Sequence, residues 1–116
     1  MTTKTQKQNV YQISEDFGRG FSIDGVFLAT PAEVKALVGR NVYFGEICGK
    51  HSEIDLDIGP DTITLVSDVR SEVDLIRRLG LCRGQNPVAS YRTHAEHADP
   101  NNEYEEAVAD LEAEAV

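Results

Sequence analysis

Five side chains that could do chemistry lie close together in the stretch CGKHSEIDLD. They are a thiol, an imidazole and three carboxylates: Cys48, His51, Glu53, Asp55 and Asp57. Carboxylates two residues apart on a β-strand project to one side, and Ca²⁺ and Mg²⁺ prefer such oxygens. A strand, however, extends over about 13 Å from residue i to residue i+4, which is too far for all of these groups to share one ion. We therefore interpret the three carboxylates as the solvated face of a strand.

Two chemical alternatives stay open at this hairpin. Cys48 and His51 would supply two ligands of a zinc site, although the remaining Cys and His residues of the chain lack a spacing typical of zinc proteins. His51 acting as an acid/base beside Glu53 or Asp55 would instead make the segment from Cys48 to Glu53 the centre of a small-ligand-binding or metal-dependent enzyme. The leading interpretation is a non-enzymatic protein without a cofactor.

The elements that position these residues are predicted by apolar periodicity. Ser52, Ile54, Leu56 and Ile58 alternate with the charged residues, which predicts a strand with one dry face. We expect this strand to form a hairpin with residues 41–48 and a meander with a third strand at 62–67, in which Ile63 and Leu65 face the core. Two extended segments joined by a turn are predicted for Val10–Ile23, and an edge strand for residues 88–92.

Two helices are predicted from their terminal residues. Thr30-Pro31-Ala32-Glu33 combines an N-cap, a proline at the first helical position and the glutamate of a capping box, so we expect a helix over residues 31–38 that Gly39 ends. Ser71 should open the second helix, and Gly80 should end it.

The sequence predicts one small α+β domain. Its antiparallel sheet of three to four strands carries the two short helices on one face. We expect residues 1–9 to be a flexible N-terminus, residues 10–92 to form the domain and residues 93–116 to be an acidic tail. The N-terminus is polar throughout and no apolar run reaches membrane-spanning length, which predicts a cytoplasmic protein that makes no membrane contact. Cys48 and Cys82 should then be reduced thiols.

The formal net charge of −9 is concentrated in the tail, because eight acidic residues and no lysine or arginine follow Arg92. The nearly neutral body predicts no direct binding of nucleic acid. Within the tail, Tyr104, Val108 and Leu111 recur at helical spacing. The tail is either a disordered, solubilising end or a helix that forms on binding. In the second case the apolar residues would occupy a partner's groove, or that of a second copy, while Glu103 and its acidic neighbours meet a basic rim.

The segment VYFGEICGKHSEI (Val42–Ile54), with TPAEVKALVG before it, resembles small proteins of tailed phages and their bacterial hosts in which a short helix leads into a YFGE…GKHSE hairpin. The resemblance covers residues 30–54 and implies a small α+β fold of phage origin. It implies no activity and no catalytic residue.

Together these features predict a phage-encoded modulator or inhibitor of a host protein complex with a basic surface. The binding residues would be the carboxylates of the strand face and the tail from residue 103 onward: Glu53, Asp55, Asp57, Glu103, Tyr104, Val108 and Leu111. Such a surface would present carboxylates where nucleic-acid phosphates otherwise sit. A homodimer through an edge strand or the tail helix is a third alternative.

Overall fold

The fold is given by a computed structural model that describes residues 7–18, 21–46, 53–94 and 103–114. Within these ranges the strands are β1 (Asn9–Gly18), β2 (Phe21–Ala29), β3 (Asn41–Glu46), β4 (Glu53–Asp57), β5 (Ile63–Ser67) and β6 (Arg83–Gly84). The helices are α1 (Pro31–Leu37), α2 (Arg70–Leu79), α3 (Pro87–Thr93) and α4 (Glu103–Glu114). This organisation confirms the predicted α+β class.

The strands form a four-stranded sheet of order β5-β1-β2-β6 and a separate two-stranded sheet of β3 and β4. The long β1–β2 hairpin contains the two extended segments that the sequence predicts. The predicted meander is wrong at its third strand, because β5 pairs antiparallel with β1, where Ile63 lies opposite Ile13. Alternation along a sequence predicts a strand and its dry face, but it does not specify a distant pairing partner.

The main core lies between one face of the larger sheet, the β3–β4 hairpin and the helices α1, α3 and α4. Alternating residues of β1 and β2 point into it, as expected for a half-buried antiparallel sheet. Its largest members are Tyr11, Ile13, Ile23, Phe27, Leu37, Phe44, Ile58, Ile63, Tyr91 and Tyr104.

Helix α2 contacts β1 of the larger sheet. Val10 and Val73 are fully buried but lie outside the main cluster, and Val10 alternates with the core residue Tyr11 along β1. The start of α2 differs from the prediction, because the helix begins at Arg70 after Val69, without a side-chain cap. It ends in a left-handed residue, Gly80, as predicted.

Helix α3 replaces the edge strand predicted for residues 88–92. The side chain of Asn86 accepts a hydrogen bond from the Ala89 amide at 3.1 Å, and Pro87 occupies the first turn. The Asn-Pro pair is ambiguous in the sequence. Proline is favoured at the first position of a helix, and it is also tolerated at the first residue of an edge strand. The prediction chose the wrong alternative.

Leu65 is also misplaced by the prediction, since it is 52% exposed on the edge strand β5.

Helix α1 begins at the predicted capping box. The Thr30 hydroxyl accepts a hydrogen bond from the Glu33 amide at 3.1 Å, and the Glu33 carboxylate accepts one from the Thr30 amide at 2.8 Å. Gly39 follows the helix with a φ of 89°, which glycine adopts at little cost. These local bonds fix the start of α1 next to the core, where Ala36 and Leu37 are buried.

Candidate functional site

The acidic strand face consists of Glu53, Asp55 and Asp57 on β4, and all three residues are exposed. Ile54 and Leu56 point the other way and pack against the core. The alternation that the sequence predicts for this strand is therefore present.

Residues of β3 hold these carboxylates in place. The amide of Asn41 donates hydrogen bonds to both Asp55 and Asp57, each at 2.8 Å, so the two bonded oxygens lie no farther apart than twice that distance. The hydroxyl of Tyr43 donates to Glu53 at 2.5 Å. The distance of about 13 Å that strand geometry predicts applies to residues four apart, whereas Asp55 and Asp57 are only two apart. The cross-strand donors Asn41 and Tyr43 were missed, because only the register of β3 on β4 brings them opposite the acids.

The strand face adjoins the end of α3. The imidazole ring of His94 meets the Tyr43 ring edge-on, with centroids 4.9 Å apart and planes at 85°. Edge-to-face packing is a favoured aromatic geometry. His94 thus braces the ring whose hydroxyl holds Glu53, an arrangement that no local pattern in the sequence indicates.

The chemical alternatives at the hairpin fall on residues that are not described. Cys48 and His51 both lie outside the described ranges, so the zinc and acid/base hypotheses stay predictions. Among the residues that the structure describes, no group of three His, Cys, Asp or Glu side chains is placed to hold a metal ion. Cys82 is an exposed, free thiol.

The apolar stripe of the tail lies in the chain's own core. Tyr104 is 2% exposed and Val108 is 4% exposed, while Leu111 packs against the same cluster. Helix α4 packs mainly on α1. The sequence indicates the stripe, but it leaves the tail either as a disordered end or as a helix in the groove of a partner or a second copy. The structure instead gives α4 a groove in the same chain, so Glu103–Glu114 shares the core of the domain.

Aromatic and cationic side chains surround Tyr104. Its ring lies 4.8 Å from that of Tyr91, and the guanidinium groups of Arg40 and Arg92 lie 5.8 and 5.6 Å from its centroid. Its hydroxyl donates to the carbonyl oxygen of Glu33 at 3.3 Å. Burial raises the pKa of the Tyr104 phenol well above its ordinary value, although the charge of Arg92 opposes this shift.

Arg92 joins three helices and is the residue that sequence reasoning missed most completely. One guanidinium nitrogen lies 2.7 Å from the Glu33 carboxylate of α1, and another lies 2.8 Å from the Glu105 carboxylate of α4. A second contact to Glu105, at 3.4 Å, completes a forked pairing. Glu33 therefore serves both as the capping residue of α1 and as the partner of Arg92.

Docking of α4 leaves a line of acids on its outer side, which we call the acidic helix stripe: Glu103, Glu106 and Asp110. All three are exposed and recur at i, i+3 and i+7, opposite the buried stripe. Acids in the first turn also suit the positive end of the helix dipole. The stripe thus places three carboxylates along one side of the docked helix.

Comparisons with protein-family models, with curated proteins and with solved structures find no match to this chain. None of the helices within the described ranges is long and apolar enough to cross a membrane.

Proposed function

We propose that this chain is a non-enzymatic acidic binding protein, a phage-encoded modulator or inhibitor of a host protein complex. The observation that carries the proposal is the acidic helix stripe. Its three carboxylates point outward because Tyr104 and Val108 tie the other side of α4 into the core. The partner is a protein with a basic surface, since a stripe of carboxylates repels nucleic acid and attracts cations.

Order in the free protein supports a binding role for α4. An isolated helix of this length is marginal in water, and folding on binding would reduce affinity by the cost of ordering. Here the helix is already docked, so that cost does not fall on association. Pre-organisation of this kind raises affinity without any additional contact.

The spacing of the stripe suits a surface that otherwise meets phosphates. Successive stripe residues are three and four positions apart, which corresponds to about 4.5 and 6 Å along the helix axis. DNA carries one phosphate per about 3.4 Å of axis on each strand. The carboxylates of α4 are thus spaced more widely along the axis than the phosphates of one strand, but a basic groove would still meet three negative charges within about 10.5 Å of helix.

The acidic strand face is the second surface in the proposal. Asn41 holds Asp55 and Asp57 side by side, and Tyr43 holds Glu53, so these carboxylates also have restricted positions. Each retains lone pairs for further donors, because an ionised carboxylate accepts about four hydrogen bonds. Lysine or arginine side chains of a partner can supply them. The phage origin in this proposal rests on the resemblance of residues 30–54.

Affinity capture from a bacterial host lysate tests the proposal. The helix variant combines Glu103→Gln, Glu106→Gln and Asp110→Asn, and the strand variant combines Asp55→Asn and Asp57→Asn. These changes remove charge while leaving the buried side of each element intact. We expect wild-type bait to retain a basic host protein that excess duplex DNA releases, and both variants to retain less of it.

A matched control removes three charges elsewhere, through Glu15→Gln, Asp61→Asn and Asp68→Asn. This control should capture as well as the wild type does. Equal capture by the wild type, the helix variant and the strand variant would contradict the proposal. So would a captured protein that duplex DNA does not displace.

A further inference from the structure

The groove that holds α4 is formed by α1 and α3, and it offers both aromatic and charged contacts to α4. We call it the α4 groove and define it by Thr30 and Glu33 at the start of α1 and by Tyr91 and Arg92 of α3. It receives the Tyr104 ring and pairs Arg92 with Glu105 at 2.8 Å. At the far end of α4, the Thr30 hydroxyl donates to Glu112 at 3.5 Å. These contacts recognise an acidic helix with an aromatic anchor.

None of these contacts depends on α4 belonging to the same chain. Helix α4 forms no strand pairing and packs mainly on α1, and its covalent connection to α3 is the chain between His94 and Glu103. The α4 of a second copy would offer the same ring, the same carboxylates and the same helical spacing. Exchange of an identical element between protomers requires just this equivalence.

We propose that α4 is exchangeable, so that two copies of the chain form a reciprocal dimer in which each α4 groove holds the partner's α4. An undocked α4 would leave Tyr104 and Val108 exposed and, at its length, would be marginal as a helix. A released α4 therefore docks again, either in its own groove or in that of a neighbour. The acidic helix stripe faces outward in both forms, so the dimer presents two stripes in place of one.

Protein concentration decides between the two forms. A short connection holds a segment near its own site at an effective concentration on the order of millimolar. Exchange in the wild-type chain should become substantial only when the protein approaches that concentration. Weakening the contact of α4 with its own groove, while strengthening the contact with a neighbour's groove, should produce the dimer at much lower concentration.

Charge reversal at the forked ion pair provides such a change. Arg92→Glu puts a third carboxylate beside Glu33 and Glu105, and Glu105→Arg puts two guanidinium groups together, so each variant disfavours docking in its own chain. In an equal mixture, the altered groove of the Arg92→Glu chain can bind the altered helix of the Glu105→Arg chain. The unaltered groove of the second chain then binds the unaltered helix of the first, as in the wild type. We expect the mixture to have twice the 12.8 kDa mass of the chain by light scattering, and each variant alone to stay monomeric.

The double variant, with Arg92→Glu and Glu105→Arg in one chain, is the matched control, because its ion pair is restored internally and it should be monomeric. A monomeric mixture would overturn the proposal. If a single variant does not fold, the oligomeric state of wild-type protein refolded at millimolar concentration tests the proposal instead. Isotope-filtered NMR on a refolded mixture of labelled and unlabelled chains then shows which rings meet. A dimer with contacts between Tyr104 of one chain and Tyr91 of the other supports exchange, whereas a monomer, or a dimer without that contact, refutes it. Neither result depends on the basic partner of the proposed function.

Discussion

Replacing Tyr104 by alanine should destabilise the whole domain, because its ring is a central part of the core. The side chain is 2% exposed, its ring lies 4.8 Å from that of Tyr91, and two guanidinium groups lie over it. Truncation removes all of these contacts together with the hydrogen bond to the Glu33 carbonyl. It also leaves a cavity between α1, α3 and α4.

Removal of a large buried aromatic side chain typically costs about 3–5 kcal/mol. A domain of this kind is stable by only about 5–15 kcal/mol, so the loss is a large share of the total. Tyr104→Phe is the matched control, because it keeps the ring and removes one hydrogen bond, which contributes about 1 kcal/mol. The free energy of unfolding should therefore be highest for the wild type, about 1 kcal/mol lower for Tyr104→Phe and about 3–5 kcal/mol lower for Tyr104→Ala.

Urea unfolding followed by far-ultraviolet circular dichroism measures these differences. Hydrogen exchange gives a second readout, since the amides of α1 beneath α4 should lose protection in the alanine variant. An alanine variant within about 1 kcal/mol of the wild type would refute the argument. It would mean that the apolar stripe of α4 does not support this core and is free for a partner, which is one of the two alternatives that the sequence left open.

Three further perturbations have definite expected outcomes. Burial raises the pKa of the Tyr104 phenol, so the folded state favours the neutral phenol. The resulting stabilisation of the fold is complete below the unfolded pKa of about 10. As the pH rises from there toward the folded pKa, the free energy of unfolding falls by up to about 1.4 kcal/mol per pH unit. Urea midpoints above pH ~10 should fall less steeply for Tyr104→Phe than for the wild type. Gly25→Ala would place a methyl group 1.9 Å from the carbonyl oxygen of Gln85, so β6 must move away from β2. Urea unfolding should therefore show that the free energy of unfolding falls by about 1–3 kcal/mol. Thr30→Ala removes the acceptor of the Glu33 amide and should lower the free energy of unfolding by about 1 kcal/mol, measured in the same way.

Each of these perturbations has a control within the chain. Tyr11 also has a pKa raised by burial, so a residual alkaline slope is expected in Tyr104→Phe, and identical slopes would contradict the assignment to Tyr104. Gly59→Ala meets its nearest neighbour at 3.4 Å and should be tolerated, and a Gly25→Ala variant of equal stability would disprove the close approach of β6. Thr64→Ala alters an exposed threonine outside any cap. It should leave the free energy of unfolding within about 0.5 kcal/mol of the wild-type value, and a similar result for Thr30→Ala would count against the cap.

Features that depend on residues close in sequence could be predicted without the structure. The capping box of α1 needs only Thr30 and Glu33, and the dry face of β4 needs only the alternation of Ile54 and Leu56 with acids. Helix α3 was predictable by the same kind of local signal. Its start at Asn86 was missed because the following proline was interpreted as the beginning of a strand.

Features that depend on distant partners could not be predicted. The pairing of β5 with β1 joins segments about fifty residues apart, and no local pattern selects β1 over β4. The same holds for α4, whose apolar stripe is visible in the sequence while the groove that receives it is not. Arg92 has no local signal at all, because its two partners come from α1 and α4.

The burial of this stripe limits how a partner can recognise the chain. With Tyr104 and Val108 inside the core, a partner that meets the folded protein at α4 encounters Glu103, Glu106 and Asp110 instead. Recognition of that kind is electrostatic, so both the affinity and the association rate should fall with salt, since the Debye length is only about 10 Å at 0.1 M ionic strength. A partner that bound through the apolar stripe would first have to displace α4, and its binding would depend little on salt. The salt dependence of binding therefore distinguishes a partner of the acidic helix stripe from a competitor for the α4 groove.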